Sequence, residues 1–200
     1  MLLFETIQIK DGEIQRLDYH NERLNNSRNE LMCALADINL ADFIQVPKAF
    51  RKGLVKCRVN YGMEVGDIIW EQYIPRSFSR FFLRESHVQY DHKYINRQAL
   101  EELQENLPKH SCIIIVKEGF ITDTSFSNLI FKHHNGFWYT PHKPLLLGTQ
   151  REYLLDEELI IEHKIKPTDL ENYSHFMLIN AMLNFKEESA LPVSMIAAPL

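Results

Sequence analysis

Residues 119–151, GFITDTSFSNLIFKHHNGFWYTPHKPLLLGTQR, constrain the fold more than any other stretch of the chain. They read as a strand, a polar turn crowded with Thr and Ser, and a second strand. A type I′ hairpin at Asn135-Gly136 and a third strand follow, and then Gly148, just ahead of a helix expected over residues 149–159. Polar groups set between apolar strands in this way define a site for a polar ligand, with Asp123 as a buried acid and the Gly148 turn as an anion-binding element. A plain β-meander ending in a well-capped helix accounts for the same residues.

Composition narrows what such a site could serve. With 45% hydrophobic and 24% charged residues among 200, the chain has material for a core and the profile of a soluble globular protein. Its net charge of −5 supplies no global basic field for nucleic acid. Cys33, Cys57 and Cys112 are far apart and odd in number, which points to a reducing compartment and away from a disulfide framework or a zinc knuckle. No apolar run reaches membrane-spanning length, and MLLFETIQIKDG enters a strand pattern with no signal-peptide layout, so a cytoplasmic location is expected.

The remaining pattern is α+β with mostly antiparallel strands. Residues 2–9 and 13–17 form strands around Asp11-Gly12, and Asp18 then caps a helix over residues 19–36. A second helix is expected over 40–51, interrupted or restarted at Pro47, and strands over 54–61 and 67–74 with Gly62 and Gly66 in the turn. The pattern weakens over 77–89, read as a linker. A helix follows from 94 or 95 to 105, a buried strand over 111–116, and strands over 176–179 and 191–196.

Several catalytic devices are absent: there is no G-x-x-x-x-G-K, G-x-G-x-x-G, H-E-x-x-H or G-x-S-x-G. His133-His134 has no third ligand in view, and no metal site is expected. Lys93 lies among Tyr90, His92, Tyr94 and Ile95, where desolvation would lower its pKa and make its amine a nucleophile toward a carbonyl. The same lysine could equally snorkel at the surface. Arg23, in HNERL, suits a phosphate or carboxylate if it faces inward and is an ordinary helix charge if it faces outward. Gly148-Thr149-Gln150 opens a helix whose free N–H groups bind anions, as every helix start can.

In order and spacing these segments resemble the class IV, fold-type IV pyridoxal-phosphate enzymes, which comprise branched-chain and D-amino acid aminotransferases and aminodeoxychorismate lyase. The resemblance runs from Phe4-Glu5-Thr6 and His20, Arg23 and Leu24 through Lys93. It continues over G-x-I-T-D-x-S-x-S-N-L (119–129), Tyr139-Thr140-Pro141 and L-L-x-G-T-Q-R (145–151). It implies a two-domain D-amino acid aminotransferase-like fold, with a small domain over 1–86 and a larger cofactor-binding domain over 87–200, assembled as a homodimer.

Carried over, the resemblance makes Lys93 the residue that bears pyridoxal 5′-phosphate and Arg23 the holder of its phosphate, with the amides of Thr149 and Gln150 after Gly148. Asp123 stands where the family has a Glu that pairs with the ring nitrogen, and Asn180 with the Ala181 amide stands where aminotransferases have hydroxyl residues. Family members also carry a strand and a glycine-rich segment before F-E-T, so the chain reads as N-terminally shortened. K-Y-I-N-R (93–97) and I-N-A-M (179–182) are similar to the lyase branch, which gives 4-aminobenzoate and pyruvate for folate synthesis. The alternatives are an aminotransferase acting on branched-chain or D-amino acids, and a non-catalytic relative that binds the cofactor.

Overall fold

In the computed structural model, which describes residues 2–197, LFETIQIK forms strand β1 (Leu3–Lys10). Asp11 and Gly12, both at positive φ, turn it into β2 (Glu13–Ile14), because only small or Asx residues adopt that conformation cheaply. Helix α1 (Leu17–Met32) follows, then β3 (Leu54–Tyr61) and β4 (Val65–Gln72). The four strands make one antiparallel sheet in the order β2-β1-β3-β4. Alternation sends Val55, Cys57, Val59 and Tyr61 of β3 inward with Leu3, Ile7 and Ile9 of β1, and Leu24 of α1 closes this core.

Among the described residues this first compact unit runs to Pro75 and takes back His92–Asn96. The second unit comprises Arg76–Asp91 and the chain from Arg97 onward, so the division differs from the expected boundary at 86/87. The reason is a short pairing. Leu3 bridges to Tyr94, and the N–H groups of Phe4 and Ile95 donate to the carbonyls of Lys93 and Leu2.

The second unit begins with β5 (Arg80–Glu85), α2 (Gln98–Glu102), β6 (Ser111–Lys117) and β7 (Phe120–Ile121). The hairpin β8 (Asn128–His133) and β9 (Trp138–Pro141) leads to α3 (Thr149–Asp156) and β10 (Ile161–His163). β11 (Tyr173–Ile179), β12 (Leu191–Pro192) and β13 (Ile196–Ala197) complete it. Two sheets result, β10-β9-β8-β11-β12 and β13-β5-β6-β7. Phe81, Ile114, Phe131 and Phe176 share one core, where Phe81 and Phe176 meet edge to face at 4.8 Å.

Several local expectations change in the structure. Residues 40–51 hold only the 3₁₀ turns Leu40–Asp42, capped by the Asn39 side chain on the Ala41 N–H, and Lys48–Phe50, with the break at Pro47. The expected linker contains β5, whose Phe81, Phe82 and Leu83 are buried. The helix expected from residue 94 shrinks to α2 because His92–Ile95 is engaged beside β1. Arg16, at φ 51, occupies the N-cap of α1, and Asp18 sits in its first turn. Gly66 lies inside β4, and β5–β6, β5–β13 and β9–β10 pair in parallel. At Asn135-Gly136 only the glycine has positive φ, so the hairpin is not type I′. Its turn closes through Gly136 N–H to His133 O, and the glycine supplies the bulge.

Candidate active site

In the first unit the candidate residues cluster on the two sides of β1. Glu5 is wholly buried in the row of Leu3, Ile7 and Ile9 and faces α1. Arg23 donates to it through Nε (2.9 Å) and Nη2 (2.5 Å), a side-on bidentate pair, and His20 Nδ1 lies 2.6 Å from the same carboxylate. Burial pushes the Glu5 pKa up, but Arg23 and His20 more than offset it and hold the group at about 2. Burial lowers the His20 pKa despite the Glu5 contact.

On the other side of β1, the Lys93 Nζ lies 4.8 Å from the centre of the Phe4 ring, with Arg58 at 4.1 Å from the same ring. Lys93 is half-buried at the centre of a tight turn closed by the Tyr94 N–H on His92 O, rather than at the head of a helix. Its neighbour His92 is fixed by Ser27 Oγ at 3.0 Å and by Glu30 at 3.4 Å.

The second unit builds its cluster around Asp123. Beyond β7 the backbone stays tied to β6, with the Ile115 N–H donating to Asp123 O and the Thr122 N–H to Ile115 O. The following turn satisfies itself, because Thr124 Oγ1 accepts the Phe126 and Ser127 N–H groups and meets Ser127 Oγ at 2.8 Å. The buried Asp123 carboxylate therefore points away from its own turn. Its Oδ2 accepts the N–H groups of Leu145 (2.8 Å) and Leu146 (3.0 Å), and its Oδ1 accepts Asn128 Nδ2 (3.0 Å). Burial raises its pKa to about 6 against the lowering effect of these three bonds and of Arg151.

Asn128 also donates to Leu146 O at 2.8 Å, and a Cβ placed on Gly148 would come 1.9 Å from Asn128 Oδ1. Residue 148 is glycine for that close approach, since its φ of −83° suits any residue. With no side chain at this N-cap, the first N–H groups of α3, those of Thr149 and Gln150, have no intrahelical acceptor. Thr149 Oγ1 is buried beside them without a hydrogen-bond partner, as is Gln150 Oε1. Asn180 is turned toward its own backbone. Its Oδ1 takes the Met182 and Leu183 N–H groups, which shapes the turn carrying the buried Ala181.

Arg97 gives Nη2 to Ser125 O at 2.5 Å and so fixes the turn after Asp123. The cavity of about 680 Å³ in this unit is lined by Thr122 and Leu145 but not by Gly148, Thr149 or Gln150, so it flanks the Asp123 network rather than containing it. His133 packs edge-on against Tyr139 and Tyr173, and its Nδ1 accepts the Asn135 N–H, which ties it into the hairpin.

Arg23 and Lys93 thus belong to the first unit, and Asp123, Gly148, Thr149, Gln150, Asn180 and Ala181 to the second. Sequence reasoning missed the roles of Glu5, His20 and Asn128. A charged residue in an otherwise apolar alternating row was the available signal for Glu5. Nothing local marked Asn128, whose partners lie 5 and 18 residues away.

A sheet-rich α+β chain with a lysine segment docked on its first strand, a buried acid and an uncapped helix start has the fold of the class IV pyridoxal-phosphate enzymes. The model of the amino-transferase class IV family matches residues 72–187. An uncharacterised protein of Haemophilus influenzae Rd is 37% identical over 185 residues, covering 90% of this chain and 97% of its own. A crystal structure from Haemophilus somnus 129PT, provisionally named 4-amino-4-deoxychorismate lyase, superposes with a TM-score of 0.79 at 34% identity, covering 92% of this chain and 97% of that one. A hypothetical aminotransferase of Mycobacterium tuberculosis in its pyridoxal-phosphate-bound form shares the fold (TM-score 0.74, 16% identity, 98% and 81% covered). This chain belongs to the amino-transferase class IV family, whose members depend on pyridoxal phosphate.

The second unit's residues fit parts of that cofactor on their own geometry. The orphaned Thr149 hydroxyl and the uncapped start of α3 suit a phosphate. A buried carboxylate whose pKa is raised gains from a cationic N–H donor, and among the described residues Asp123 Oδ1 accepts one hydrogen bond, from Asn128.

Proposed function

We propose that this chain is a pyridoxal-phosphate lyase that splits 4-amino-4-deoxychorismate into 4-aminobenzoate and pyruvate, a step of folate synthesis. The similarity at 34% identity, over nearly the whole chain, to a structure bearing that lyase's name carries the reading. The Asn96-Arg97 pair after the lysine supports it, because Arg97 braces the turn next to Asp123.

When bound, pyridoxal phosphate supplies an electron sink through its protonated ring nitrogen. Asp123 would hold that proton, and the Asn128, Leu145 and Leu146 donors keep its carboxylate in one orientation. Arg23, the Thr149 and Gln150 amides and the Thr149 hydroxyl would take the phosphate, with the Ala181 amide presented by the Asn180 turn. Lys93 would bear the cofactor and, once displaced by the substrate amine, remove the proton from the ring carbon carrying that amine. It would then return a proton to the methylene carbon of the departing three-carbon fragment as the ring becomes aromatic. We carry over the homodimer and the cytoplasmic location with this proposal, and the molar mass in solution tests the former.

Purified protein with pyridoxal phosphate and aminodeoxychorismate is expected to release pyruvate without a keto-acid acceptor. The family description favours a second reading, an aminotransferase, for which we propose branched-chain or D-amino acids as substrates. Turnover that requires an acceptor would establish it and overturn the lyase. Bound cofactor with neither activity would make the chain a non-catalytic binder. Lys93→Ala is expected to lose the visible absorption of the lysine-bound cofactor and all turnover, and a spectrum identical to wild type would remove Lys93 from its role.

A further inference from the structure

The cavity beside the Asp123 network is left without a role by the chemistry proposed above. It lies where residues 163–165 tie β7 to the loop after β9. The Ile121 N–H donates to Ile165 O at 2.8 Å, and the His142 N–H to His163 O at 2.9 Å. At about 680 Å³ the cavity falls within the range of small-molecule sites. Ile121, Leu145 and Ile165, all buried, supply apolar lining, and the half-buried Phe120 adds an aromatic ring.

The rest of the lining is charged. Lys117, Lys143 and Lys164 contribute to it, and among the described residues none of the three is in an ion pair. Lys117 donates to uncharged acceptors, Val88 O at 3.3 Å and Gln89 Oε1 at 3.1 Å. Lys143 and Lys164 make no hydrogen bond through their ammonium groups among the described residues. Asp91 and Glu118 also line the cavity, so lysines outnumber carboxylates by three to two. A further cation, Lys166, sets its Nζ 5.7 Å from the centre of the Phe120 ring.

The chemistry of the donors narrows the ligand. No arginine fork and no helix start is among the described lining residues. A phosphate gains most from such bidentate or backbone donors, whereas lysines act as point charges. Lone ammonium groups beside apolar side chains suit one carboxylate on an apolar body, and the Phe120 ring suits a planar one. We propose that this cavity is a second ligand site, which takes an aromatic carboxylate with its ring against Phe120 and its charge at Lys143 and Lys164. Leu145 belongs to both sites, since it lines the cavity and donates its N–H to Asp123 Oδ2 at 2.8 Å. The identity of the natural ligand rests on the function proposed above, whose product, 4-aminobenzoate, is of this class. Benzoate tests the site without that reading.

The full chain, with and without pyridoxal phosphate, is titrated with benzoate at fixed ionic strength while amide chemical shifts are followed. Wild type is expected to show saturable shifts at the Leu145 and Ile165 amides in both states. Benzamide, which lacks the charge, and acetate, which lacks the ring, are expected to bind roughly 5-fold or more weakly. The double variant Lys143→Glu/Lys164→Glu is expected to weaken benzoate by roughly 10-fold without lowering Tm, because both lysines are exposed. Shifts confined to the Thr149 and Gln150 amides, equal binding of benzamide, or wild-type affinity in the double variant would each overturn the site. Displacement of benzoate by 4-aminobenzoate supports the product as ligand, and failure to displace it overturns that assignment alone.

Discussion

Gly148→Ala is expected to destabilise the second unit by about 2–4 kcal/mol, from a clash in a packed site and the hydrogen bonds lost in relieving it. The new Cβ would stand 1.9 Å from Asn128 Oδ1. Asn128 cannot move aside without cost, because its Nδ2 holds both Asp123 Oδ1 and the Leu146 carbonyl. Swinging it out leaves a buried carboxylate oxygen and a carbonyl without their donor. For a chain of this size the loss corresponds to a fall in Tm of about 5–15 °C. Backbone strain contributes nothing, as φ at Gly148 is −83°. The steric account makes a further demand: Asn128→Ala should absorb much of the penalty, so the double variant should be more stable than the sum of the single effects. Additive effects, or a Tm unchanged in Gly148→Ala, would show that the loop relaxes by another route.

Asp123→Asn should remove a falling contribution from the stability–pH curve of the cofactor-free protein between about pH 4 and pH 6. The folded pKa of Asp123 is raised from 3.8 to about 6, so over that window the native state binds the proton that the unfolded chain has released. The Asp123 contribution to stability therefore falls as pH rises through the window and levels off above it, by about 3 kcal/mol in all, opposite in sign to that of His20, whose folded pKa is lowered by burial. Glu5 acts with the opposite sign. Its folded pKa is depressed from 4.5 to about 2, so its contribution is complete above pH 4.5 and is lost as pH falls toward 2. Between pH 4.5 and 6, then, Asp123 changes its charge while Glu5 does not.

The Asn variant removes the buried charge but opposes its own NH₂ to that of Asn128, so the slope of stability against pH is the clean readout rather than Tm at neutral pH. A curve that keeps its wild-type shape after Asp123→Asn would assign the titration to another group. If the proposed function holds, the same variant should retain lysine-bound cofactor while losing turnover by roughly 100-fold or more, as when a preorganised charge partner is removed. Near-normal turnover would show that ring protonation does not depend on Asp123.

On the proposal that Asp123 takes the place of the family's Glu, the shorter side chain has a structural account. Two consecutive backbone amides, those of Leu145 and Leu146, come to one oxygen of the shorter side chain, and Asn128 takes the other. The acid is held by the loop that leads to Gly148. Sequence reading identified Asp123 and Gly148 separately, as a buried acid and a helix start. Their connection through Asn128 involves residues 5 and 20 positions apart, a range at which no periodicity or turn signal operates.

Order along the chain was sufficient for the family, the α+β class, the Asp11-Gly12 hairpin, helix α1 and the helix start at Thr149. The family rests on the order of short segments along the chain, and the individual elements rest on residues within a few positions of one another, where φ preference, alternation and capping act directly. The errors fell where distant partners competed with local propensity. His92–Ile95 gave up an expected helix to pair beside β1, and the weakly patterned stretch before it became the core strand β5. Arg23 was legible as an arginine on a helix, but only the folded first unit showed that Glu5, 18 residues earlier, holds its fork. Local chemistry thus determined which groups were present and in which kind of element. The tertiary structure decided which of them are partnered, because burial and hydrogen-bond geometry arise only when separate segments close on one another.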